Sequence, residues 1–181
     1  LTTGISKQLN DKLTIGVNLN FINSKLEQYS SIGLSSNFAL SYFNDERKLC
    51  ISVLAKDFGR QLKSYTNEKE NLPFQLQMGV SKQLAHLPFR FSIVAHHINK
   101  FDISNNYLEP TTTDPISGET IENKESFGKK VLRHFVLGGE LNPGRKNLFI
   151  RGGFNFQRRQ DMQLSTRPLM VGFSWGLGFK I

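Results

Sequence analysis

Residues 74–81 have the sequence FQLQMGVS, in which apolar and polar side chains strictly alternate. Phe74, Leu76, Met78 and Val80 occupy every second position of this stretch. Successive side chains of a β-strand point to opposite faces of a sheet. The stretch therefore predicts a strand with one apolar face and one polar face.

The same alternation recurs along most of the chain, including residues 13–21 and 169–181, and it predicts about nine antiparallel strands. Each predicted strand is close to the 9–11 residues that a tilted membrane strand needs, whereas strands of soluble proteins average about five or six. The residues predicted to face lipid are Leu13, Ile15, Val17, Leu19, Phe21, Phe74, Leu76, Met78, Val80, Val171, Phe173, Trp175, Leu177 and Phe179.

The composition excludes a membrane protein built from helices. Hydrophobic residues make up 38% of the chain, and the mean hydropathy is −0.34. No run approaches the roughly 20 consecutive apolar residues that a helical span requires. Strands of a membrane barrel need only every second residue to be apolar, so this composition is typical of a transmembrane β-barrel.

The predicted connections alternate in length. Residues 10–12, 44–47, 85–88 and 142–147 form short turns, and residues 23–30, 59–73, 101–133 and 157–168 form longer polar connections. Outer-membrane barrels combine short periplasmic turns with longer extracellular loops. We therefore predict an integral bacterial outer-membrane protein with its long loops outside the cell, of which 101–133 is the longest.

Residues 1–181 are predicted to form one barrel domain that is incomplete at both ends. The residues from Leu1 onward have a strand pattern instead of a signal-peptide pattern, and both ends of the sequence are expected to fall within strands. Alone, such a sheet would leave its first and last strands as open edges, which is unsuited to lipid.

The chain contains no recognisable catalytic or cofactor motif. Cys50 is the only cysteine, which excludes an intrachain disulfide, and Gly176-Leu177-Gly178 is not followed by a helical pattern. The pair His96-His97 suggests metal binding, but neighbours on a strand point to opposite faces, so we expect two separate wall positions. We predict no enzymatic activity, no cofactor and no metal.

Lys and Arg exceed Asp and Glu by eight charges. The basic residues lie near strand ends and alternate with apolar faces instead of forming one stripe, which disfavours nucleic-acid binding. A rim contacting lipopolysaccharide phosphates and a merely solvated rim are both compatible with this pattern. The candidate rim on the outer side comprises Arg60, Lys63, Lys100, Arg158, Arg159 and Arg167.

Glu140 and Arg151 are predicted to lie on neighbouring strands with both side chains directed inward. Opposite charges on adjacent strands favour an ion pair. We predict a lumenal ion pair, with a transport site as the alternative. Whether the lumen is plugged or conducting is left open by the sequence.

Four stretches resemble the PorQ-like members of the PorV/PorQ family of outer-membrane proteins. They are LPFQLQMGVSK at 72–82, HLPFRFS at 86–92, RHFVLGGE at 133–140 and STRPLMVGFS at 165–174. Each motif is short, and together they sample most of the chain.

This resemblance implies a FadL-like barrel of fourteen strands, of which about nine are present. It also implies a non-enzymatic anchor in the cell-surface attachment complex of the type IX secretion system. The implied partners are PorZ, PorU and PorV, with outer-membrane lipid and lipopolysaccharide around the barrel.

Two other functions fit parts of the pattern. A FadL-type transporter of hydrophobic molecules would need an apolar passage, whereas the inward-facing rows are predicted to be Ser, Asn, Gln and Gly. A soluble β-sandwich or adhesin would share the alternation, but it has no reason to keep every second connection short.

Overall fold

A computed structural model describes residues 1–26, 29–64, 71–103, 112–113, 120–121, 126–143, 147–162 and 170–179. Within these residues, thirteen elements follow one another. The strands are β1 (Thr2–Asn10), β2 (Leu13–Leu26), β3 (Tyr29–Asn44), β4 (Leu49–Lys63), β5 (Gln75–Gln83), β6 (Phe89–Ala95), β7 (Thr112–Thr113), β8 (Thr120–Ile121), β9 (Phe135–Leu141), β10 (Leu148–Asn155) and β11 (Phe173–Phe179). The helices are α1 (Phe127–Arg133) and α2 (Phe156–Asp161).

Nine of the strands form one open antiparallel sheet in the order β1-β2-β3-β4-β5-β6-β9-β10-β11. Every strand pairs with its neighbour in the chain, apart from the step from β6 to β9, which spans the short β7–β8 ladder and α1. The predicted all-β class and the nine antiparallel strands are confirmed. In the described part of the chain, β1 and β11 are the two edges of this sheet.

The long strands differ from the predicted lengths. The prediction of a loop at 23–30 is wrong, because Asn23, Ser24 and Lys25 pair with Ile32, Ser31 and Ser30 and so continue the β2–β3 ladder. The prediction that a connection begins at residue 59 is also wrong, since β4 continues to Lys63. Ladder hydrogen bonds join backbone groups, so polar side chains at a strand tip need not end the strand.

Two of the predicted lipid-facing residues lie outside the strands. Phe74 precedes β5, where the Asn99 side chain, instead of a neighbouring strand, bonds to the backbone. Its Nδ2 donates to Phe74 O at 3.0 Å, and its Oδ1 accepts from Leu76 N at 3.0 Å. Val171 lies in a turn before β11. The next residue, Gly172, has a φ of +89°, a conformation that glycine adopts readily, so the strand begins only at Phe173.

An irregularity interrupts the pairing of β3 with β4. The register shifts between Ser36 and Phe38, and Asp57 has a φ of +57°. The backbone N–H of Asp57 donates to the Asn37 side-chain oxygen at 2.8 Å. Beyond this bulge, Gly59 approaches the backbone of Leu34 and Ser35 so closely that a Cβ would lie 2.6 Å from Ser35 Cα.

Apolar side chains of this sheet are exposed and some polar side chains are buried, which is the reverse of the distribution in a soluble domain. Among the described residues no hydrophobic side chain is buried, and the buried residues with polar or charged side chains are Ser31, Ser35, His96 and Arg133. A soluble domain of this size normally buries an apolar core. No helix in the described residues has the length and apolar character of a membrane span.

Candidate functional site

The principal surface feature is a continuous apolar face that crosses the sheet. Residues directly opposite each other on paired strands have side chains on the same face. One unbroken row of such partners runs from β2 to β11: Leu13, Tyr42, Ile51, Val80, Ile93, Leu137, Phe154 and Phe173. Every member of the row is apolar or aromatic.

Parallel rows widen this face. Met78 pairs with Val53 on one side and Ala95 on the other, and Leu76 pairs with Ala55. The register puts all of the predicted lipid-facing residues on this face except Phe74 and Val171, which lie outside the strands. The face is open: Met78 is 50% exposed and Trp175 is 80% exposed. Its contact with lipid remains a prediction.

The opposite face carries most of the small and polar side chains, together with a few apolar ones such as Leu54, Val94 and Val136. One row joins Thr14, Ser41, Ser52 and Gly79 across β2 to β5. The hydroxyls of Ser41 and Ser52 lie 2.9 Å apart, and Asn20 Nδ2 donates to Ser35 Oγ at 3.2 Å. Ser35, on this face, is only 2% exposed. We call this surface the polar face. Met78 and Trp175 on the apolar face are thus far more exposed than Ser35 on the polar face.

Glu140 and Arg151 form an ion pair on the polar face. They are direct partners on β9 and β10, and Arg151 Nε donates to Glu140 Oε2 at 2.7 Å. Arg90 on β6 is the partner of Glu140 on its other side, and the Arg151 guanidinium lies 5.8 Å from the centre of the Phe149 ring. The contact is present as expected from the sequence, and its position in a lumen remains a prediction.

Replacing Glu140 with Gln is expected to change the free energy of unfolding by at most about 1 kcal/mol. The Arg151 side chain is 59% exposed, and water screens the attraction between exposed charges. Chemical denaturation at low and high salt measures this. A loss of several kcal/mol that salt leaves unchanged would contradict the expectation and indicate a pair shielded from water.

The candidate basic rim lies at the end of the sheet where β4, β6 and β10 stop, which we call the long-connection end. Arg60 and Lys63 are among the last residues of β4. Lys100 follows β6, and Arg158 and Arg159 belong to α2. Arg167 lies outside the described residues. The topology thus brings the five described residues to one end, although Arg60 and Lys63 lie on a strand instead of the predicted loop.

Three histidines meet at the same end. His96 and His97 follow β6, and His134 ends α1. The Nδ1 atoms of His96 and His97 lie 2.7 Å apart, and His134 Nδ1 lies 2.8 Å from His96 O. The prediction that His96 and His97 point to opposite faces is wrong, because the strand ends at Ala95 and His97 has a φ of +54°, which breaks the alternation. Within the described residues, no three or more His, Cys, Asp or Glu side chains, these histidines included, are arranged so that they could hold a metal ion.

Burial and two neighbouring imidazoles lower the pKa of His96. Its side chain is mostly buried, and charges on His97 and His134 would repel a charge on its ring. The pKa of His97 is lowered by burial and then by His134 and Lys100. Both rings are therefore held neutral at pH values where an isolated histidine, with a pKa of about 6.5, begins to take up a proton.

Acidification is expected to destabilise this histidine cluster. The unfolded chain takes up protons at higher pH than the folded chain, so stability is complete above about pH 6.5 and falls as the pH drops toward the lowered folded pKa values. Hydrogen exchange at the His96 amide, which donates to His134 O at 2.9 Å, measures the change. After correction for intrinsic exchange rates, protection should fall with pH, and this dependence should weaken in His97→Gln. Protection that does not vary with pH would contradict the shifts.

The two helices lie in different long connections and contact each other at this end of the sheet. Arg133, at the end of α1, forms an ion pair with Asp161, at the end of α2, and Gln160 Nε2 donates to Lys129 O at 3.3 Å. Arg133 is buried, and burial makes a charged pair depend strongly on both partners. This contact holds the connection before β9 against the connection after β10.

Comparison with protein-family models, curated proteins and solved structures finds no match to this chain. The resemblance to the PorV/PorQ family accordingly rests on the four short motifs alone.

Proposed function

We propose that this chain forms part of a bacterial outer-membrane β-barrel that anchors partner proteins of a type IX cell-surface attachment complex. The role is non-enzymatic: the sheet holds the protein in the membrane, and the long connections present polar groups to proteins outside the cell.

The exposed apolar face is the observation that carries this proposal. Its central row runs without a polar residue from β2 to β11, while the polar face contains the most buried side chain, Ser35. In water, such a face would leave a patch far larger than the few hundred Å² usual on soluble proteins. In a bilayer the same face contacts lipid, and the polar face lines the interior of the barrel.

The anchoring role is supported by two weaker observations. The four PorQ-like motifs point to the type IX system, and the largest connections converge at one end of the sheet. There α1 and α2 pack together through Arg133 and Asp161, which links the described parts of two of these connections. The partners that the resemblance implies are PorZ, PorU and PorV, and PorU would carry out the enzymatic processing of the secreted cargo.

A FadL-type transporter is supported less well. Such a protein needs an apolar path through the lumen, whereas the polar face offers mainly Ser, Asn and Gly with the pair of Glu140 and Arg151, and only scattered apolar side chains such as Leu54 and Val94. A soluble β-sandwich is also disfavoured, because no second layer covers the apolar face within the described residues.

Four measurements separate these functions. Alkaline carbonate washing should leave the protein in the membrane fraction, whereas a soluble adhesin would be released. Affinity purification from detergent-solubilised membranes should then recover the attachment-complex proteins, and deletion should impair cleavage and anchoring of secreted cargo. Normal cargo anchoring in the deletion strain would overturn the anchoring role, and reduced uptake of a labelled fatty acid would support the transporter instead.

A further inference from the structure

A groove of about 720 Å³ opens on the apolar face near the long-connection end. This volume is within the range of ligand sites, about 300–1,000 Å³. Its apolar lining comes from three parts of the chain: β2, the facing ends of β3 and β4, and the segment before β5. The principal lining side chains are Leu19, Leu34, Phe58, Leu62, Leu72 and Phe74.

Backbone irregularities build this groove. The bulge at Asp57 changes the course of β4, and Gly59 then lies against the β3 backbone. Leu72 N donates to Gly59 O at 3.2 Å and returns the chain to β4. The rings of Phe58 and Phe74 meet edge to face with their centres 6.1 Å apart. The concavity is thus fixed by the backbone and does not depend on one rotamer.

One cation lines the groove, and a second follows it in β4. Arg60 is the direct partner of Leu34, lines the groove and is exposed. Lys63 lies three residues after Arg60 in β4 and donates from Nζ to Ser30 Oγ at 2.7 Å. Within the described residues, no carboxylate lies within ion-pair distance of either cation. An apolar groove with a guanidinium at its rim is complementary to an acyl chain with an anionic headgroup.

We propose that this groove binds one acyl chain of a membrane lipid whose phosphate headgroup has a net negative charge, with Arg60 on the phosphate. Arginine binds phosphate through two parallel hydrogen bonds. A zwitterionic headgroup carries the same phosphate together with a cation that Arg60 would repel, so a headgroup with net negative charge is preferred. The lipid comes from the bilayer that the apolar face contacts, so this inference rests on the proposed function. It goes beyond a general basic rim because it assigns one lipid position, between β3, β4 and the segment before β5.

The test uses tryptophan as a contact reporter, because Trp175 is the only tryptophan in the chain. In a Trp175→Phe background, Phe74→Trp places a fluorophore in the groove. The protein is reconstituted in phosphatidylcholine vesicles that contain a minor fraction of either dibrominated phosphatidylglycerol or dibrominated phosphatidylcholine. Quenching at residue 74 should reach half-maximum at a roughly tenfold lower fraction of the anionic lipid, the ratio expected for one charge-assisted hydrogen bond.

Three variants sharpen the test. Arg60→Gln should abolish the anionic preference, and Arg60→Lys should restore part of it. Lys12→Gln removes one charge from the β1–β2 turn at the opposite end and should leave the preference intact. Equal quenching by both lipids, or a preference that survives Arg60→Gln, would overturn the proposal.

The reporter Trp175 separates this failure from failure of the proposed function. If brominated lipids quench Trp175 in the parent protein but show no preference at residue 74, the sheet is in lipid and the lipid site is wrong. If a second copy of the chain or another segment covers the groove, residue 74 is protected while Trp175 is quenched, which also overturns the site. If neither position is quenched, the membrane assignment and the lipid site fail together.

Discussion

Met78→Arg is expected to lower the free energy of unfolding in lipid by about 2–4 kcal/mol, the cost of a cation at the middle of a barrel's lipid face. Met78 lies near the middle of β5 and is half exposed on the apolar face. Its partners across the sheet are Val53 and Ala95, so no polar group is opposite it. Reversible unfolding by denaturant in vesicles measures the difference.

Gln77→Arg is the matched control, because Gln77 is the preceding residue and points to the polar face opposite Leu54. We expect this variant to be much less destabilised, since an arginine there remains among polar groups or water. Equal losses in the two variants would show that the two faces meet the same solvent. A loss below about 0.5 kcal/mol for Met78→Arg, as for an ordinary surface substitution, would place that face in water.

Gly59→Ala is expected to destabilise the protein by about 1–3 kcal/mol, the usual range for forcing extra atoms into a closely packed position. An added Cβ would clash with Leu34 O and would lie 2.6 Å from Ser35 Cα. These are backbone atoms, so a rotamer change cannot relieve the contact. The β3–β4 pairing beyond the Asp57 bulge must shift, and the groove that it shapes must widen or close.

Gly79→Ala provides the comparison for this prediction. A Cβ at Gly79 would meet Val94 Cγ2 at 3.5 Å, an ordinary contact, and alanine restricts the unfolded chain more than glycine does. We expect little change or a small gain in stability. Denaturation of both variants, with hydrogen exchange across residues 31–36, would test the account; unchanged exchange in Gly59→Ala would contradict the close approach.

Periodicity predicted the strands where one side of the chain is uniformly apolar. In β5, every second residue from Leu76 to Val80 is apolar, so the two faces could be assigned before any pairing was known. The contact of Glu140 with Arg151 was also predictable, because both residues fall within neighbouring strands at opposed positions. The extended tips of β2 and β3 were missed, since their polar side chains resemble those of a loop.

The remaining site features depend on backbone departures that periodicity does not report. The positive φ at Asp57 shapes the groove, and the positive φ at His97 brings its imidazole to that of His96. Neither residue is a glycine, so the sequence does not signal these conformations. Gly59 was a possible signal, because glycine within a strand often marks a bulge or a close backbone approach. The meeting of α1 with α2 depends on contacts between residues 28 positions apart, Arg133 and Asp161.

The most direct test of the central claim is the fluorescence of Trp175 in vesicles containing lipids brominated along their acyl chains. Trp175 is on the apolar face and is 80% exposed, with Gly152 as its neighbour on β10. If the apolar face contacts lipid, brominated lipids quench this fluorescence strongly, whereas acrylamide in the water has little effect. Strong quenching by acrylamide with none by brominated lipid would place the face in water and contradict the barrel.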